Sequence, residues 1–409
     1  MGLQILLAPH GTRGDVQPML ALALHLRSRG HEVAFVAPIN AVPWISAYGF
    51  ACEPDGVDVE LMLRSAHADI HSLRWQTRYL TKVLAPTLFA SVARAAAASA
   101  PALIVGAGLQ MAGAAVAEQR GVPYVSVVYC PCAVPTRSAP PPPVRRQTLP
   151  PWMNGLLWRC GRPLADAMLR RPINAGRERL GVAPVRRPSA HVAGRAVIVA
   201  ADPDLAPFPT DAPAQALSTD AWVFDEGSAL EASVETFLRA GPPPVYLGLG
   251  SMVGKNASAI VEGALAATRT MGLRLIVAGG WARLDLSIAS SETVLAIRSA
   301  PHRALLPRVA AVAHHGGAGT TTAAARAGVP QLILPHILDQ FYWAHRVQTV
   351  GLGPTAVPAD VATAPRVSRA LQALIENAAY ADRARWLATR VSGRNGVPAA
   401  AARLEQFVG

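Results

Sequence analysis

The stretch 309–335, "VAAVAHHGGAGTTTAAARAGVPQLILP", constrains the fold more than any other part of the chain. Val309–Ala313 is a short apolar run that fits a strand buried on both faces. The alanines from 323 to 327 favour helix, and Gly328 stands where helices commonly stop. Val329–Pro335 reads as the next strand. The unit is strand, glycine turn, helix, strand. Such a crossover belongs in a parallel sheet covered by helices. Glycines at the turn let a ligand approach the backbone closely, and the free N–H groups of the helix's first turn then face it with partial positive charge. Thr320 and Thr321 add hydroxyl donors. The natural guest is a phosphate or diphosphate. The same glycines would also suit plain helix–sheet packing, with His314 and His315 as ordinary polar residues. Two imidazoles and several threonines at one corner favour the anion site.

The same rhythm runs through the whole chain. Apolar runs at 3–9, 31–38, 101–108, 122–129 and 196–205 read as strands, with helical stretches such as Met19–Arg29 and Thr81–Ala98 between them. Pro18 suits the first position of the first helix. The rhythm stops at 135–152, "PTRSAPPPPVRRQTLPPW", where four consecutive prolines forbid helix and predict an exposed loop. It restarts after "AGPPP" (240–244) with strands at 245–251, 273–280, 293–298, 309–315 and 329–335, then helices near 361–379 and 397–407. The expected fold class is α/β, with two doubly wound parallel-sheet (Rossmann-like) domains joined near 227–243. Ligands in such sheets bind beyond the carboxyl ends of the strands. With two domains face to face, that means the cleft between them.

Composition supports this and narrows the setting. The chain has 409 residues, 51% hydrophobic and 16% charged, which suits two or three globular domains rather than disorder. The net charge is +12, and nearly all the cations are arginine. Arginine suits bidentate contact with phosphate and carboxylate, although a biased genome yields the same usage. The span 137–195 holds 12 arginines against two acids, Asp166 and Glu178. It suits an anionic membrane surface, a solvated face or an acid-rich partner. The four cysteines, Cys52, Cys130, Cys132 and Cys160, include no CxxC pair, and Cys130-Pro131-Cys132 is too cramped for the usual zinc spacing. They read as free thiols in a reducing cytosol. "LQILLAP" lacks a basic n-region and reads as a first strand rather than a signal peptide. No apolar run reaches transmembrane length. Gly2 has no Ser or Thr at position 6, so the myristoylation pattern fails.

Several further turns fall at strand ends. "GLGSM" (248–252) begins like a dinucleotide fingerprint, but its next glycine, Gly254, comes one place late. "SAPH" (299–302) follows another strand. "PHILDQFYWAHRV" (335–347) sets Asp339 and Gln340 before a helix; a carboxylate beside an amide can fork onto neighbouring sugar hydroxyls, or Asp339 can simply cap the helix. "APHGTRGDVQP" (8–18) carries His10, Arg13 and Asp15 on the first strand-to-helix loop. Asp15 can cap that helix or serve as a general base aimed into the cleft, and the residues alone do not choose. His67 and His71, four apart, would share a helix face as two metal ligands, but no third ligand is evident.

These stretches together, "GTRGDVQP" (11–18) and above all 300–347, closely resemble the two-domain nucleotide-sugar glycosyltransferases of family 1. The similarity is greatest to the branch of bacterial antibiotic glycosyltransferases, sterol glucosyltransferases and rhamnosyltransferases, and it covers essentially the whole chain. The resemblance implies a GT-B fold, no metal and inversion at the anomeric carbon. It implies an acceptor domain at 1–226, a linker at 227–243, a donor domain at 244–396, and a final helix at 397–409 returning to the first domain. It places the donor on Gly14, Ser251, Ser299, Ala300, His314, Gly316, Gly317, Gly319 and Thr320. His314 would contact the diphosphate, and Asp339 and Gln340 would hold sugar hydroxyls. Asp15 would be the base, with His10 as its competitor or support. Plant relatives carry His where Asp15 stands and a base-stacking Trp where Ser299 stands, so the nucleobase, uracil or thymine, stays open. No cofactor is expected beyond the nucleotide sugar as co-substrate. The expected partners are that donor and a lipophilic acceptor, with no nucleic acid. The chain is expected to be cytoplasmic, with peripheral contact at the inner membrane face, and monomeric or homodimeric. Two rivals remain open: a binding partner without turnover, and a nucleotide-sugar epimerase of related fold. The incomplete fingerprint argues against an NAD(P) dehydrogenase.

Overall fold

The computed structural model describes residues 2–65, 73–227, 229–250, 256–280 and 290–408. Ser251, His67 and His71, named above, lie outside the described residues. The first part of the chain supplies β1 (Gln4–His10), β2 (Glu32–Ala37), β3 (Ala51–Pro54), β4 (Leu103–Gly108), β5 (Tyr124–Val128), β6 (Ala196–Ala200) and β7 (Ala216–Thr219). They pair in parallel in the order β3-β2-β1-β4-β5-β6-β7. The second part supplies β8 (Val245–Gly248), β9 (Leu275–Ala278), β10 (Val294–Ile297), β11 (Ala311–His314) and β12 (Gln331–Ile333). They too are parallel, in the order β10-β9-β8-β11-β12. The expected pair of doubly wound sheets facing a central cleft is present. Each sheet reverses its strand order once, between β1 and β4 and between β8 and β11, and such a switch point is where an α/β sheet opens a crevice. The register pairs His10 with Gly108 at one switch point and His314 with Gly248 at the other.

Helices cover both faces of each sheet because the strands are apolar on both sides. Leu6 and Ala8 face one layer, with Val92 and Val116, while Ile5 and Leu7 face the other, with Met19, Leu22 and Leu26. The helix Val397–Glu405 joins that second layer through Val397, Ala400, Ala401 and Leu404, so the end of the chain packs on the first sheet's core. A separate cluster joins the two halves, with Cys130, Cys132 and Leu205 packing against Ile333, Trp343, Val347 and Leu387. Its polar pin is Arg326, whose Nε and Nη2 donate to Asp202 Oδ2 and Oδ1 at 2.8 and 2.6 Å. Among the described residues no helix is long and apolar enough to cross a membrane.

The structure corrects three local expectations. The first helix spans Arg13–Ser28 and so begins five residues before Pro18. A capping box sets that start: Thr12 Oγ1 accepts from Gly14 N, and Asp15 accepts from Thr12 N. The proline-rich loop ends at Pro150 and gives way to a 29-residue helix, Pro151–Arg179, that tolerates Pro163 and Pro172. Interior prolines and glycines at 155, 161 and 176 hid its periodicity. The third correction concerns β3 and β7. In these four-residue edge strands only Thr219 is buried, so they lack the apolar run that marks a buried strand.

Candidate active site

At the end of β1 the chain turns through Gly11, at φ +153°, into the Arg13–Ser28 helix. A Cβ at Gly11 would overlap Asp15 Oδ2, and one at Gly108, at φ +67°, would overlap the His10 carbonyl and crowd Asp15 Oδ1. Only glycine leaves room for the carboxylate at this switch point. Thr12 N donates to Asp15 Oδ2 at 2.8 Å, and Tyr129 Oη donates to the Asp15 carbonyl at 3.2 Å. Burial pushes the Asp15 carboxyl up to about 6, against the opposing pull of the Thr12 amide and the His10 charge. His10 lies deeper. Its Nδ1 is 2.6 Å from Asp55 Oδ2, and both side chains are at most 2% exposed. Gly14 is exposed in the first helical turn.

At the end of β11 the structure separates the two histidines. His314 is wholly buried, and both ring nitrogens are engaged. Gly316 N donates to Nδ1 at 3.1 Å, which leaves Nε2–H to donate to Gln331 Oε1 at 2.9 Å. Gln331 Nε2 in turn donates to the Thr321 carbonyl at 3.2 Å. His314 thus holds the turn and the start of the next helix from beneath, and burial lowers its pKa to about 4. Its neighbour His315 is only partly buried, and its ring lies against Gly250 and Gly317. Its Nδ1 is buried outside hydrogen-bonding geometry. Burial, reinforced by His314, His336 and His302, lowers its pKa to about 3. Gly316, at φ +87°, lets the chain turn, and Gly317 then starts the helix Ala318–Ala327 with no side chain on its first amides. Gly319 faces open space and Thr320 is half-buried in that first turn.

The third turn, Ser299–Pro301, lines a cavity of about 210 Å³ together with Arg13, Glu226, Ala229, Glu231 and Val234. Both sheets and the segment between them contribute. Arg13 lies over the Trp44 ring at 4.7 Å and pairs with Glu226. Its charge helps burial depress His302, across the cleft, to about 4. The fourth turn carries Asp339 and Gln340. Gln340 Oε1 accepts from His336 N and Ile337 N at 2.7 and 3.1 Å and so clamps the loop, which passes through Leu338 at φ +51°. Trp343 Nε1 donates to Asp339 Oδ2 at 3.2 Å. Burial, opposed by the Trp343 hydrogen bond and reinforced by the Asp15 charge, brings the Asp339 carboxyl up to about 6. Among the described residues no group of three or more His, Cys, Asp and Glu side chains is placed to hold a metal ion.

The structure therefore gathers Asp15, His10, Ser299, Ala300, the 314–320 turn, Asp339 and Gln340 at the facing strand ends. Asp55, Arg13, Glu226 and His315 belong there too, although sequence reasoning did not assign them. Side-chain alternation along β11 carried a usable signal for His315. If one histidine at the strand end points inward, its neighbour points out. Asp55 follows an edge strand that left no pattern to read.

Comparison with known proteins agrees with this arrangement. Residues 5–135 match the glycosyltransferase family 28 N-terminal domain, and residues 282–403 match the C-terminal domain of erythromycin biosynthesis protein CIII-like proteins. The chain is 38% identical over 361 residues to the vancomycin aglycone glucosyltransferase of Amycolatopsis orientalis, covering 86% of this chain and 85% of that protein. It is 33% identical over 432 residues to the O-mycaminosyltylonolide 6-deoxyallosyltransferase of Streptomyces fradiae, covering 99% and 97%. The solved structure of the glycosyltransferase VinC in complex with DTDP superposes with a TM-score of 0.67 at 24% identity, covering 99% of each chain, and so shares the fold. Two switch-point crevices face to face, and relatives that span nearly its whole length, lead to one conclusion: the chain belongs to the GT-B glycosyltransferases related to the bacterial antibiotic sugar transferases.

Proposed function

We propose that this chain is an inverting, metal-independent transferase that moves a sugar from a UDP- or TDP-activated donor to a hydroxyl of a lipophilic natural product. Relatives named for a vancomycin aglycone and for O-mycaminosyltylonolide point to glycopeptide-like or macrolide-like acceptors. The observation that carries the chemistry is the contrast between the switch points: the Asp15 carboxylate is seated against Gly11 and Gly108 at one, and the Ala318–Ala327 helix starts without a side-chain cap at the other.

In this reading the acceptor hydroxyl approaches Asp15 from the first domain. As its oxygen bonds to the anomeric carbon, its proton passes to the Asp15 carboxylate and the bond to the diphosphate breaks on the opposite side of the sugar. A carboxyl near 6 suits that work better than an ordinary aspartate. The leaving diphosphate settles on the free first-turn amides of Ala318–Ala327 and the Thr320 hydroxyl. His314 supports the turn from below, since its nitrogens are taken, and the ligand side falls to His315. Asp339 accepts from sugar hydroxyls, with Gln340 fixing its loop. The nucleoside occupies the cavity beside Ser299 and Ala300. Mass spectrometry of the chain incubated with a panel of nucleotide sugars and aglycones tests this. Sugar transfer to an aglycone supports it, whereas donor binding without transfer, or donor epimerisation without an acceptor, overturns it.

A second reading concerns where the acceptor is met. The outward face of Pro151–Arg179 carries Trp152, Leu156 and Leu164, each about half exposed or more, beside Arg159, Arg162, Arg170 and Arg171. Apolar anchors among exposed arginines suit an anionic bilayer surface. Co-sedimentation with anionic vesicles should exceed that with neutral ones; equal binding to both removes this reading.

A further inference from the structure

His10 and Asp55 form a deeply buried ionisable pair among the described residues, and the transfer chemistry above does not use Asp55. The pair is fixed from several sides. Asp55 Oδ1 accepts from Val57 N at 2.8 Å, and Asp55 N donates to the Ala37 carbonyl at 2.8 Å. The His10 carbonyl accepts from Leu109 N at 2.9 Å. Asp55 therefore ties the loop after β3 to the end of β1, at the switch point that carries Asp15. A buried ion pair is weak support for stability, because desolvation offsets most of its attraction. Two apolar residues could fill this space at least as well. The placement beside Asp15 supplies another reason for the pair.

We propose that Asp55 is a positioning residue. It orients the His10 ring and provides the buried counter-charge that lets that ring carry a proton behind Asp15, so that the Asp15 carboxylate is held ionised and aimed at the acceptor. This rests on Asp15 being the base. The His10 charge does act on Asp15 in the sense required, opposing the effect of burial. Cys52 and Tyr79 lie near Asp55, and burial, reinforced by that carboxyl group, pushes both up to about 12. Tyr79 Oη is buried there without a hydrogen-bond partner. Among the described residues the other groups near Asp15 are Thr12 and Arg13 on its own turn, Tyr129 beyond β5, and Asp339 across the cleft. Of these, only His10 and Arg13 can bring positive charge, and Arg13 is paired with Glu226.

The test is the pH profile of kcat/KM, with melting temperature and donor affinity measured alongside, for the full chain and for Asp55→Asn and His10→Gln. Asn keeps an acceptor for the His10 Nδ1–H while removing the charge. The acid limb should move up by about one pH unit in either variant, with kcat/KM lowered roughly tenfold near pH 5 and about twofold at pH 7, and donor affinity unchanged. The double variant should fall no further than the single ones, as expected of residues acting as a unit. A lowered melting temperature with the limb unmoved in both variants overturns the proposal and makes the pair structural. If Asp55→Asn does not fold, His10→Gln alone decides by the same limb. Failure of the underlying reading shows differently: Asp15→Asn would then turn over normally with its acid limb intact.

Discussion

The two switch points share a topology and differ in how the helix after the strand begins. Beyond β1, the Arg13–Ser28 helix is closed by its own residues, with Thr12 and Asp15 exchanging hydrogen bonds with the first turn. Beyond β11, the Ala318–Ala327 helix starts on Gly317 with no side-chain cap. The first end already holds an anion, the Asp15 carboxylate; the second leaves its amides free for one that arrives with a ligand. On the proposed reading, one crossover geometry serves two opposite needs, depending on whether the first helical turn carries its own carboxylate or starts on an uncapped glycine. The histidines at the strand ends divide in a parallel way. His10 is tied to a charged partner, Asp55, and His314 to a neutral one, Gln331.

The sharpest way to break this comparison is to neutralise the built-in anion. Asp15→Asn keeps the size and an acceptor for Thr12 N, so the helix start should survive. Turnover should fall roughly 10²–10⁴-fold, the range for loss of a general base. His10→Ala should cost less; if it abolishes turnover while Asp15→Asn does not, the base is His10. The same variant exposes a trade of stability against activity. The Asp15 pKa is raised from 3.8 to about 6 by burial, so its contribution to stability is complete below pH 3.8 and is lost as pH rises through about 6. Asp15→Asn should therefore melt above wild type at pH 8, by less at pH 5, and close to it only below about pH 4. A lower melting temperature at pH 8 would show that the carboxylate supports the fold rather than burdening it.

On the other side, His314→Ala should act on stability. It removes the acceptor for Gly316 N and leaves Gln331 Oε1 buried without its donor, a loss of about 1–3 kcal/mol. Thermal melting checks this, and an unchanged melting temperature would mean that the ring does not hold the turn. A smaller effect is expected in the pH–activity profile of the unaltered chain. Its kcat/KM should fall below about pH 6, where Asp15 and Asp339 both take up protons. A profile flat down to pH 5 contradicts an aspartate base with the raised pKa.

Much of this was legible in the sequence, for reasons tied to particular residues. The strand runs ending at His10 and His314 are apolar on both faces, so periodicity and glycine turns located both switch points. Asp339 and Gln340 were visible because two polar residues interrupt an otherwise apolar stretch. What stayed hidden depends on contacts between distant segments. Asp55 follows an edge strand too exposed to show a pattern, and its partner lies 45 positions away. The division between His314 and His315 is set by Gln331, which approaches only once β12 lies beside β11. The 29-residue helix was masked by its own prolines, which lower propensity even where tertiary packing overrides them.

The central claim is that the two helix starts divide the work, one providing a base and the other receiving an anion. Calorimetric titration of UDP and TDP into wild type, Asp15→Asn and Thr320→Ala tests it most directly. Thr320→Ala removes a hydroxyl donor to the diphosphate and should weaken whichever nucleotide binds by about 1.5–3 kcal/mol, as for charge-assisted hydrogen bonds, while Asp15→Asn leaves affinity nearly unchanged. Full affinity in Thr320→Ala, or its loss in Asp15→Asn alone, would place the anion at the wrong helix and contradict the account.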